Sequence, residues 1–295
     1  MNLLTPGYRV YLMINSVLLV LFAIACLFPI IHVLAISFSS KTAVNSGLVT
    51  LWPVEFSLKS YEYVFHNPNF VTSFLVSVKR VGLGVGLNMV MTVLVAYPLS
   101  KEAHDFPSRT LYAWFFVFTM LFAGGLIPTF LIVKAAGLMD TVWALILPGA
   151  VPVFNVLLIL NFMRSLPKAL EESSFIDGAG HFRTLWSIYL PLSLPGLVTV
   201  ALFSLVGHWN AWFDGMIYMN RTEHYPLSTY LQSLLQFDNV NQANLSLEDA
   251  RLLDNISNRT ARSAQIFVAA LPIMLIYPFL QRFFVKGIVL GSVKG

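Results

Sequence analysis

The chain has 295 residues, of which 57% are hydrophobic and only 11% are charged, and its mean hydropathy is +0.73. Soluble domains carry about 25% charged residues, so the composition argues against a soluble enzyme, a disordered protein or a nucleic-acid binder. The formal net charge of +4 indicates basic residues at membrane faces rather than an anionic polymer partner. The single cysteine, Cys26, cannot form an internal disulfide.

Long windows of the sequence contain no Asp, Glu, Lys or Arg. They are Val10–Ser40, Val81–Ser100, Thr110–Val133, Thr141–Met163, Thr184–Phe213 and Ser263–Gln281. A helix that crosses the hydrocarbon core needs about 20 mainly apolar residues, because it must satisfy its own backbone there. The windows therefore predict an all-α integral membrane protein with six transmembrane helices in one domain, residues 1–295. The predicted spans lie at about 10–37, 70–99, 111–133, 141–163, 195–214 and 263–284.

The first two spans each raise an alternative. Ala23–Cys26 looks faintly like a lipoprotein cleavage site, but a signal-peptide core is only about 7–15 residues long. Here the apolar run continues through Leu27–Ile36, so a retained helix is predicted. The second helix begins before its charge-free window and carries Lys79 and Arg80, which are expected near one membrane interface.

Small and polar residues inside the windows are interpreted first as packing residues. Three glycines thin one face of the second span and permit close helix contact: Gly82, Gly84 and Gly86. Two histidines lie in apolar spans, where such residues mark pathways in some proteins: His32 and His208. Three prolines are expected to kink or break their helices: Pro128, Pro148 and Pro152.

The loops differ in length and charge. Half of the 18 lysines and arginines fall in four short segments, 1–9, 101–109, 164–183 and 282–295. Cytoplasmic loops are enriched in these residues, so the density predicts that both termini are inside (N-in/C-in). The long loop at about 215–262 is then external. Asn-x-Ser/Thr triplets start at Asn220, Asn244, Asn255 and Asn258. An Asn-rich loop produces such triplets by chance, so glycosylation is the minor interpretation.

Motifs for catalysis are missing from the sequence. No Gly-Lys dipeptide occurs, so there is no Walker A phosphate loop. There is no His-Glu-x-x-His, no pair of cysteines and no Gly-x-Ser-x-Gly. We therefore expect this chain to have no catalytic site, no cofactor and no metal site.

The loop at about 164–194 has the pattern of a short helix that lies across a membrane face. Pro167 starts it, Glu171 and Glu172 lie near its positive end, and Gly178 permits a sharp turn after it. A second apolar stretch, Leu185–Tyr189, follows, and Pro191 and Pro195 stop it before the fifth span. On physical grounds alone, the helix is either interfacial and unpartnered or exposed to a partner.

The stretch Glu172–Ala179, followed by Ile188–Pro191, resembles the EAA loop of ABC importer permeases. In that family the loop is the coupling helix that docks in a cleft on a cytoplasmic ATPase. The family's two alanines are replaced here by Ser173 and Ser174, which are nearly as small. The resemblance implies these ATPase-coupling residues: Glu171, Glu172, Ser173, Ser174, Asp177, Gly178, Ala179, Ile188, Leu190 and Pro191.

Other stretches are similar to the maltose-type, carbohydrate branch of that family. They are Phe122–Pro128, Gly137–Thr141, Trp209-Asn210, Tyr277–Gln281 and Gly291–Gly295. The subgroup with the greatest similarity handles oligosaccharides and polysaccharide fragments, and several of its members serve uronate-rich polymers such as alginate or pectin fragments. The resemblance thus implies a carbohydrate permease with the type I importer fold.

The resemblance also implies the partners and the location. These are a second, different permease in a heterodimer, two copies of a cytoplasmic ATPase that bind ATP and Mg, and an extracytoplasmic solute-binding protein. The complex lies in the bacterial cytoplasmic (inner) membrane. ATP closes the ATPase dimer, the coupling helices move together, and the cavity opens outward to accept the sugar.

The substrate path is the least constrained part. Lys79, Arg80, Trp209 and Asn210 are predicted to face it. The cations would favour an acidic sugar, but long basic side chains also snorkel to the interface and Trp also forms interfacial belts. The alternatives are a permease for another solute class, a secondary carrier and a membrane-embedded enzyme. A carrier needs inverted repeats and an intramembrane ion site, and the spans show neither a repeat nor a carboxylate.

Overall fold

The computed structural model describes residues 6–236 and 257–292. Within these ranges it contains helices and no strand, which confirms the all-α class. The α-helices are α1 Pro6–Ser37, α2 Lys41–Asn45, α3 Lys59–His66, α4 Pro68–Ser100, α5 Arg109–Leu121, α6 Leu126–Ala135, α7 Val153–Arg164, α8 Lys168–Ile176, α9 His181–Thr184, α10 Leu190–Leu192, α11 Leu194–Asn210, α12 Phe213–Tyr218, α13 Leu227–Gln236 and α14 Asn258–Ser292. Short 3₁₀ segments occur at Val142–Leu145, Leu147–Gly149 and Thr222–His224, and a π-helical segment at Leu185–Tyr189.

Three helical stretches are long and apolar enough to cross a membrane unaided: Val10–Ser37, Pro68–Ser100 and Asn258–Phe279. Three further pairs of helices bend sharply at short breaks. They are Arg109–Leu121 with Leu126–Ala135 (111°), Val142–Gly149 with Val153–Arg164 (48°) and His181–Leu192 with Leu194–Asn210 (80°). If each bent pair is one crossing, the described residues supply six. The exact count and the N-in/C-in orientation stay predictions.

The breaks follow local backbone chemistry. The expected break at Pro128 is wrong, because Pro128 is the third residue of α6, where a helix has no intrahelical use for its N–H. The chain turns earlier, at Phe122–Gly125, where Gly125 has φ +89°. No α-helix passes through Pro148 or Pro152, as expected.

The chain divides into two compact units, one formed by Met1–Val71 with Leu235–Leu271 and the other by Thr72–Leu234 with Pro272–Gly295. In the first unit, a small core joins the end of α1 to α2, with Ala35, Ile36 and Val44 buried. His32 lies one turn earlier in α1, and its Nδ1 is 2.6 Å from the carbonyl oxygen of Thr50. The ring is therefore satisfied by the backbone, in agreement with a packing role.

The second unit has its main core at one end of α4. Ala96 and Leu99 of α4 pack there with α7, the π-helical segment and α11. Farther along α4, Gly84 is needed for packing, because a Cβ there would lie 2.5 Å from His208 Nε2. At Gly82 and Gly86 nothing in the described chain lies within 4 Å of a Cβ, so close helix contact at these two glycines stays a prediction.

Some predicted features lie outside the described residues. They are the triplets that start at Asn244 and Asn255, and residues 293–295 of the C-terminal motif.

Candidate functional site

The predicted coupling helix is α8, and its ends have clear causes. Pro167 precedes its first residue in extended backbone, with φ −61° and ψ 127°. At the other end, the Ala179 N–H donates to the Ser174 carbonyl at 2.9 Å, and the Gly178 N–H donates to the Phe175 carbonyl at 3.0 Å. Gly178 has φ +76°, the left-handed conformation that glycine adopts without strain. The turn sends the chain directly into α9.

The α8 helix has two different faces. Glu172, Ser173 and Asp177 are exposed, and Ile176 is 86% exposed. Ser174 is 8% exposed, and its hydroxyl lies 2.9 Å from that of Thr184 in α9. Ser174 therefore joins the two short helices and is buried between them, whereas Ser173 is exposed. The structure does not place both serines on the exposed face, and the role of each in ATPase coupling stays a prediction.

Glu171 also points inward, because residues three apart share a helix face and Ser174 lies on that face. Its Oε1 accepts a hydrogen bond from Lys101 Nζ at 2.6 Å, and its Oε2 accepts one from the Tyr189 hydroxyl at 2.5 Å. Glu171 therefore does not belong to the exposed face of α8, and its role in ATPase coupling stays a prediction. Its carboxylate is bound within the subunit, and the side chain of Glu172 beside it is exposed.

Lys101 lies between two aromatic rings. Its Nζ is 4.0 Å from the centre of the Tyr97 ring and 4.1 Å from that of Tyr189, and the side chain is 7% exposed. Cations over tyrosine faces at this distance are attracted by the ring electrons. We name Lys101, Glu171, Tyr189 and Tyr97 the cytoplasmic cluster, after the side on which the loop is predicted to lie.

The two charges of the cytoplasmic cluster influence each other. Burial alone would raise the pKa of Glu171, but the hydrogen bonds from Lys101 and Tyr189, with the nearby positive charge, outweigh it and hold the pKa below its usual range. Burial lowers the pKa of Lys101, and Glu171 opposes that effect. Glu171 is therefore a carboxylate at neutral pH.

The remaining predicted coupling residues lie around the π-helical segment. Ile188 lies within the segment and Leu190 follows it, and both are half-buried against the core of the second unit. Ala179, before the segment, is also half-buried, whereas Pro191 is exposed. Large apolar side chains of the same loop are exposed, and sequence reasoning did not assign them a role. They are Phe175, Ile176, Phe182 and Trp186. Exposed apolar side chains on a loop outside the predicted spans are typical of a surface that meets a partner or the membrane interface.

The residues predicted for the substrate path separate in the structure. Arg80 is 2% exposed and contacts both carboxylate oxygens of Asp214, at 3.1 Å for Nη1 and by a second contact from Nη2. Nη1 also donates to the Ala211 carbonyl at 3.1 Å. Arg80 therefore does not snorkel, and its partner lies one residue beyond a charge-free window. Lys79, on a different face of α4, is exposed.

Trp209 and Asn210 also differ. Trp209 is buried, with its ring edge-on to Phe74 at 5.7 Å between centroids. Its carbonyl accepts a hydrogen bond from Ser228 at 2.6 Å. Asn210 is exposed at the end of α11. The structure thus places Trp209 in the core packing of the second unit, whereas the exposed Asn210 stays a candidate for the substrate path.

A cavity of about 450 Å³ lies among α4, α7, α11 and α12, in the second unit. His208 Nε2 is 2.9 Å from Asn88 Oδ1, and Asn155 Nδ2 donates to Ser204 Oγ at 3.1 Å. Arg80 and Asp214 also line the cavity. Sequence reasoning missed the polar wall. Ser204 and His208, four residues apart in an apolar window, share a helix face and were the available signal.

Comparison with known proteins gives similarity over most of the chain. A family model described as "Binding-protein-dependent transport system inner membrane component" matches residues 87–290. The polygalacturonan/rhamnogalacturonan transport system permease protein YtcP of Bacillus subtilis (strain 168) is 39% identical over 287 residues, covering 97% of this chain and 99% of that protein. Protein LplC of the same organism is 38% identical over 291 residues, covering 99% and 97%.

One solved structure is similar in both sequence and fold. It is described as a bacterial ABC transporter involved in the import of the acidic polysaccharide alginate. The matching chain is 32% identical to this one and has a TM-score of 0.86. The match covers 96% of this chain and all of that chain.

Proposed function

The chain belongs to the family of binding-protein-dependent transport system inner membrane components, and we propose that it is the permease of an ABC importer for uronate-rich oligo- or polysaccharide fragments. The proposal rests on one observation: the chain is similar, over nearly its full length, to two proteins linked to acidic polysaccharides. One relative is named for polygalacturonan and rhamnogalacturonan transport, and the solved transporter is described as involved in the import of the acidic polysaccharide alginate. These substrates share sugar acids, which favours a carboxylate-bearing carbohydrate here. A secondary carrier and a permease for another solute class are not favoured.

The cavity supports a carbohydrate path. Asn155, Ser204 and His208 bring amide, hydroxyl and imidazole groups to one space, and Phe203 supplies an aromatic face beside them. Sugar rings present hydroxyls at their edges and C–H groups on their faces, so this mixture of groups suits them. A volume of about 450 Å³ lies within the usual range for small-molecule sites. It accommodates a short segment of a saccharide chain.

The exposed face of the cytoplasmic loop supports docking on an ATPase. Glu172, Ser173 and Asp177 lie beside exposed apolar side chains on one short segment. We propose that this face contacts one ATPase of a pair, and that a second, different permease completes the pathway. An extracytoplasmic binding protein delivers the sugar to the complex in the bacterial cytoplasmic membrane. ATP and Mg bind to the partner ATPase, and this chain performs no covalent chemistry.

The experiment is transport by the complete importer in proteoliposomes. Trigalacturonate and the neutral trisaccharide maltotriose are compared, each with its uptake measured with and without ATP in the ATPase compartment. The proposal predicts ATP-dependent uptake of trigalacturonate well above that of maltotriose. Uptake of the neutral sugar alone would contradict the uronate assignment. Uptake of trigalacturonate that follows an ion gradient and ignores ATP would contradict the importer assignment.

A further inference from the structure

The cytoplasmic cluster joins the loop that carries the docking face to the end of α4. We propose that Lys101, Glu171 and Tyr189 are positioning residues that transmit the displacement of α8, driven by the ATPase, to α4 and thus to the cavity. This inference rests on the function proposed above. It concerns the buried face of α8, which carries Glu171, whereas docking on the ATPase concerns the exposed face, which carries Glu172 and Ser173.

The geometry makes Glu171 the bridging group. One carboxylate oxygen is bound by Lys101, which directly follows α4, and the other is bound by Tyr189, which lies beyond the turn at Gly178. The Tyr97 ring, within α4, packs edge-on against that of Tyr189 at 5.1 Å between centroids. A shift of α8 therefore displaces both ends of the cluster together.

The backbone at this end of α4 is fixed by further contacts. Arg164 donates to the Leu99 carbonyl at 2.9 Å, and Arg109 donates to the Lys101 carbonyl at 2.7 Å. The backbone of Lys101 is thus held at the end of α4 by hydrogen bonds, and its side chain is bound to Glu171 of α8. A side chain held at both ends transmits a displacement that a free side chain would absorb.

The route from this end of α4 to the cavity is a continuous helix. Asn88 lies on the same helix and binds the His208 ring, and it also donates to the carbonyls of Gly149 and Ala150 at 2.8 and 3.0 Å. Pro98 lies inside α4 near this end, and the helix continues through it to Ser100. A continuous helix with contacts at both positions carries displacement along its length. Movement of Lys101 with α4 therefore shifts the polar wall of the cavity.

A second ion pair joins the same two segments and supplies the matched control. Lys168 of α8 contacts Glu102, but both side chains are about half exposed or more, at 67% and 49%. Exposed pairs of this kind contribute little, because solvent screens them and two long side chains lose freedom. The chemistry of the two pairs is the same, and their burial differs.

The test uses the complete importer in proteoliposomes, with trigalacturonate uptake and ATP hydrolysis measured on the same samples. The variants are Glu171→Gln, Lys101→Met, Lys101→Arg and Tyr189→Phe, and the controls are Glu102→Gln and Lys168→Met. We expect Glu171→Gln and Lys101→Met to assemble and hydrolyse ATP but to import about five- to tenfold less sugar per ATP. Lys101→Arg should restore most of the ratio, since arginine also pairs with carboxylates and stacks on aromatic rings.

The outcomes separate transmission from simple structural support. Equal loss of uptake and hydrolysis, or an unchanged ratio in the assembled variants, would overturn the inference. If Glu171→Gln and Lys101→Met fail to assemble, Tyr189→Phe decides, because it removes one hydroxyl and keeps the ring. It should lower the ratio about twofold, and an unchanged ratio would overturn the inference. Absence of ATP-dependent uptake by the unaltered importer would instead overturn the proposed function and, with it, this inference.

Discussion

Two buried cations of the α4 region, Arg80 and Lys101, illustrate two ways of using an ion pair. Arg80 contacts both carboxylate oxygens of Asp214 and donates a hydrogen bond to the carbonyl of Ala211, at the break between α11 and α12. Lys101 contacts a single oxygen of Glu171 and lies over two tyrosine rings. The first pair lies beside the cavity, and the second lies beside the docking loop.

The difference lies in what each cation fixes. A guanidinium that binds two carboxylate oxygens sets an angle as well as a distance. An ammonium is a compact charge that keeps its attraction while it pivots among ring faces. We therefore interpret the Arg80 pair as a contact of fixed geometry beside the cavity. The Lys101 cluster is interpreted as a contact that stays intact while α8 and α4 move together.

The largest expected effect comes from Arg80→Met. Among the described residues, it leaves Asp214 with the N–H of its neighbour Gly215 as its remaining hydrogen-bond donor. Removing one partner of a buried ion pair costs about 3 kcal/mol. Lys101→Met should cost less, because Glu171 keeps the Tyr189 hydroxyl. Thermal unfolding of the purified importer measures both. Equal losses of thermal stability from the two variants would mean that the Arg80 pair and the Lys101 cluster do not differ in this way.

Gly178→Val should follow in size. Nothing lies within 4 Å of a Cβ at this position, so the effect comes from the left-handed backbone and not from a clash. A left-handed conformation costs about 1–2 kcal/mol for an ordinary residue, and more for a β-branched one. Gly178→Asn is the control, because asparagine tolerates this conformation. Assembly and uptake should fall for valine far more than for asparagine, and equal behaviour would refute the backbone explanation.

The pH dependence of the cytoplasmic cluster should be smaller. The pKa of Glu171 is lower in the folded chain than in the unfolded one. Its stabilisation is therefore complete above the unfolded value and is lost as the pH falls through the folded value. Relative to Glu171→Gln, the native importer should gain about 1 kcal/mol or less at neutral pH, allowing for partial exposure.

Thermal unfolding at neutral and acidic pH tests that sign. The gap between the native importer and Glu171→Gln should close on acidification, while Glu102→Gln serves as the exposed carboxylate control. A gap that widened as the pH fell would mean that the carboxylate is not stabilised in its ionised form.

Lys79→Gln should have the smallest effect. Lys79 is exposed and its neighbour Arg80 is bound to Asp214, so of these two cations Lys79 is the one placed to attract an acidic sugar. Attraction at a wet site is worth less than about 1 kcal/mol and weakens with salt. Uptake of trigalacturonate should slow less than about fivefold at low salt, with maltotriose unaffected. Equal slowing of both sugars would leave Lys79 as an interface anchor.

The long apolar helices were predictable because the absence of charge is a property of the sequence alone. The predicted span at 70–99 corresponds to the helix Pro68–Ser100. The predicted span at 111–133 instead turns by 111° between α5 and α6. Hydropathy does not record the direction of a helix, and that turn depends on the backbone of Gly125.

The loop motif was predictable in position but not in orientation. The residues around Gly178 identify the turn, since glycine adopts the φ found there without strain. The inward direction of Glu171 depends on Lys101, and the burial of Arg80 depends on Asp214. These partners lie 70 and 134 residues away. One sequence carries no record of such pairings.

The most direct test of the two-faced loop uses the adjacent serines as cysteines. The native Cys26 is first replaced by serine, and Ser173→Cys and Ser174→Cys are then compared for crosslinking to single cysteines on the ATPase in the assembled importer. Ser173 is exposed, whereas Ser174 is bound to Thr184. We predict efficient crosslinking from residue 173 and little from residue 174. Strong crosslinking from residue 174 with none from residue 173 would show that the docking face is the one assigned here to the interior.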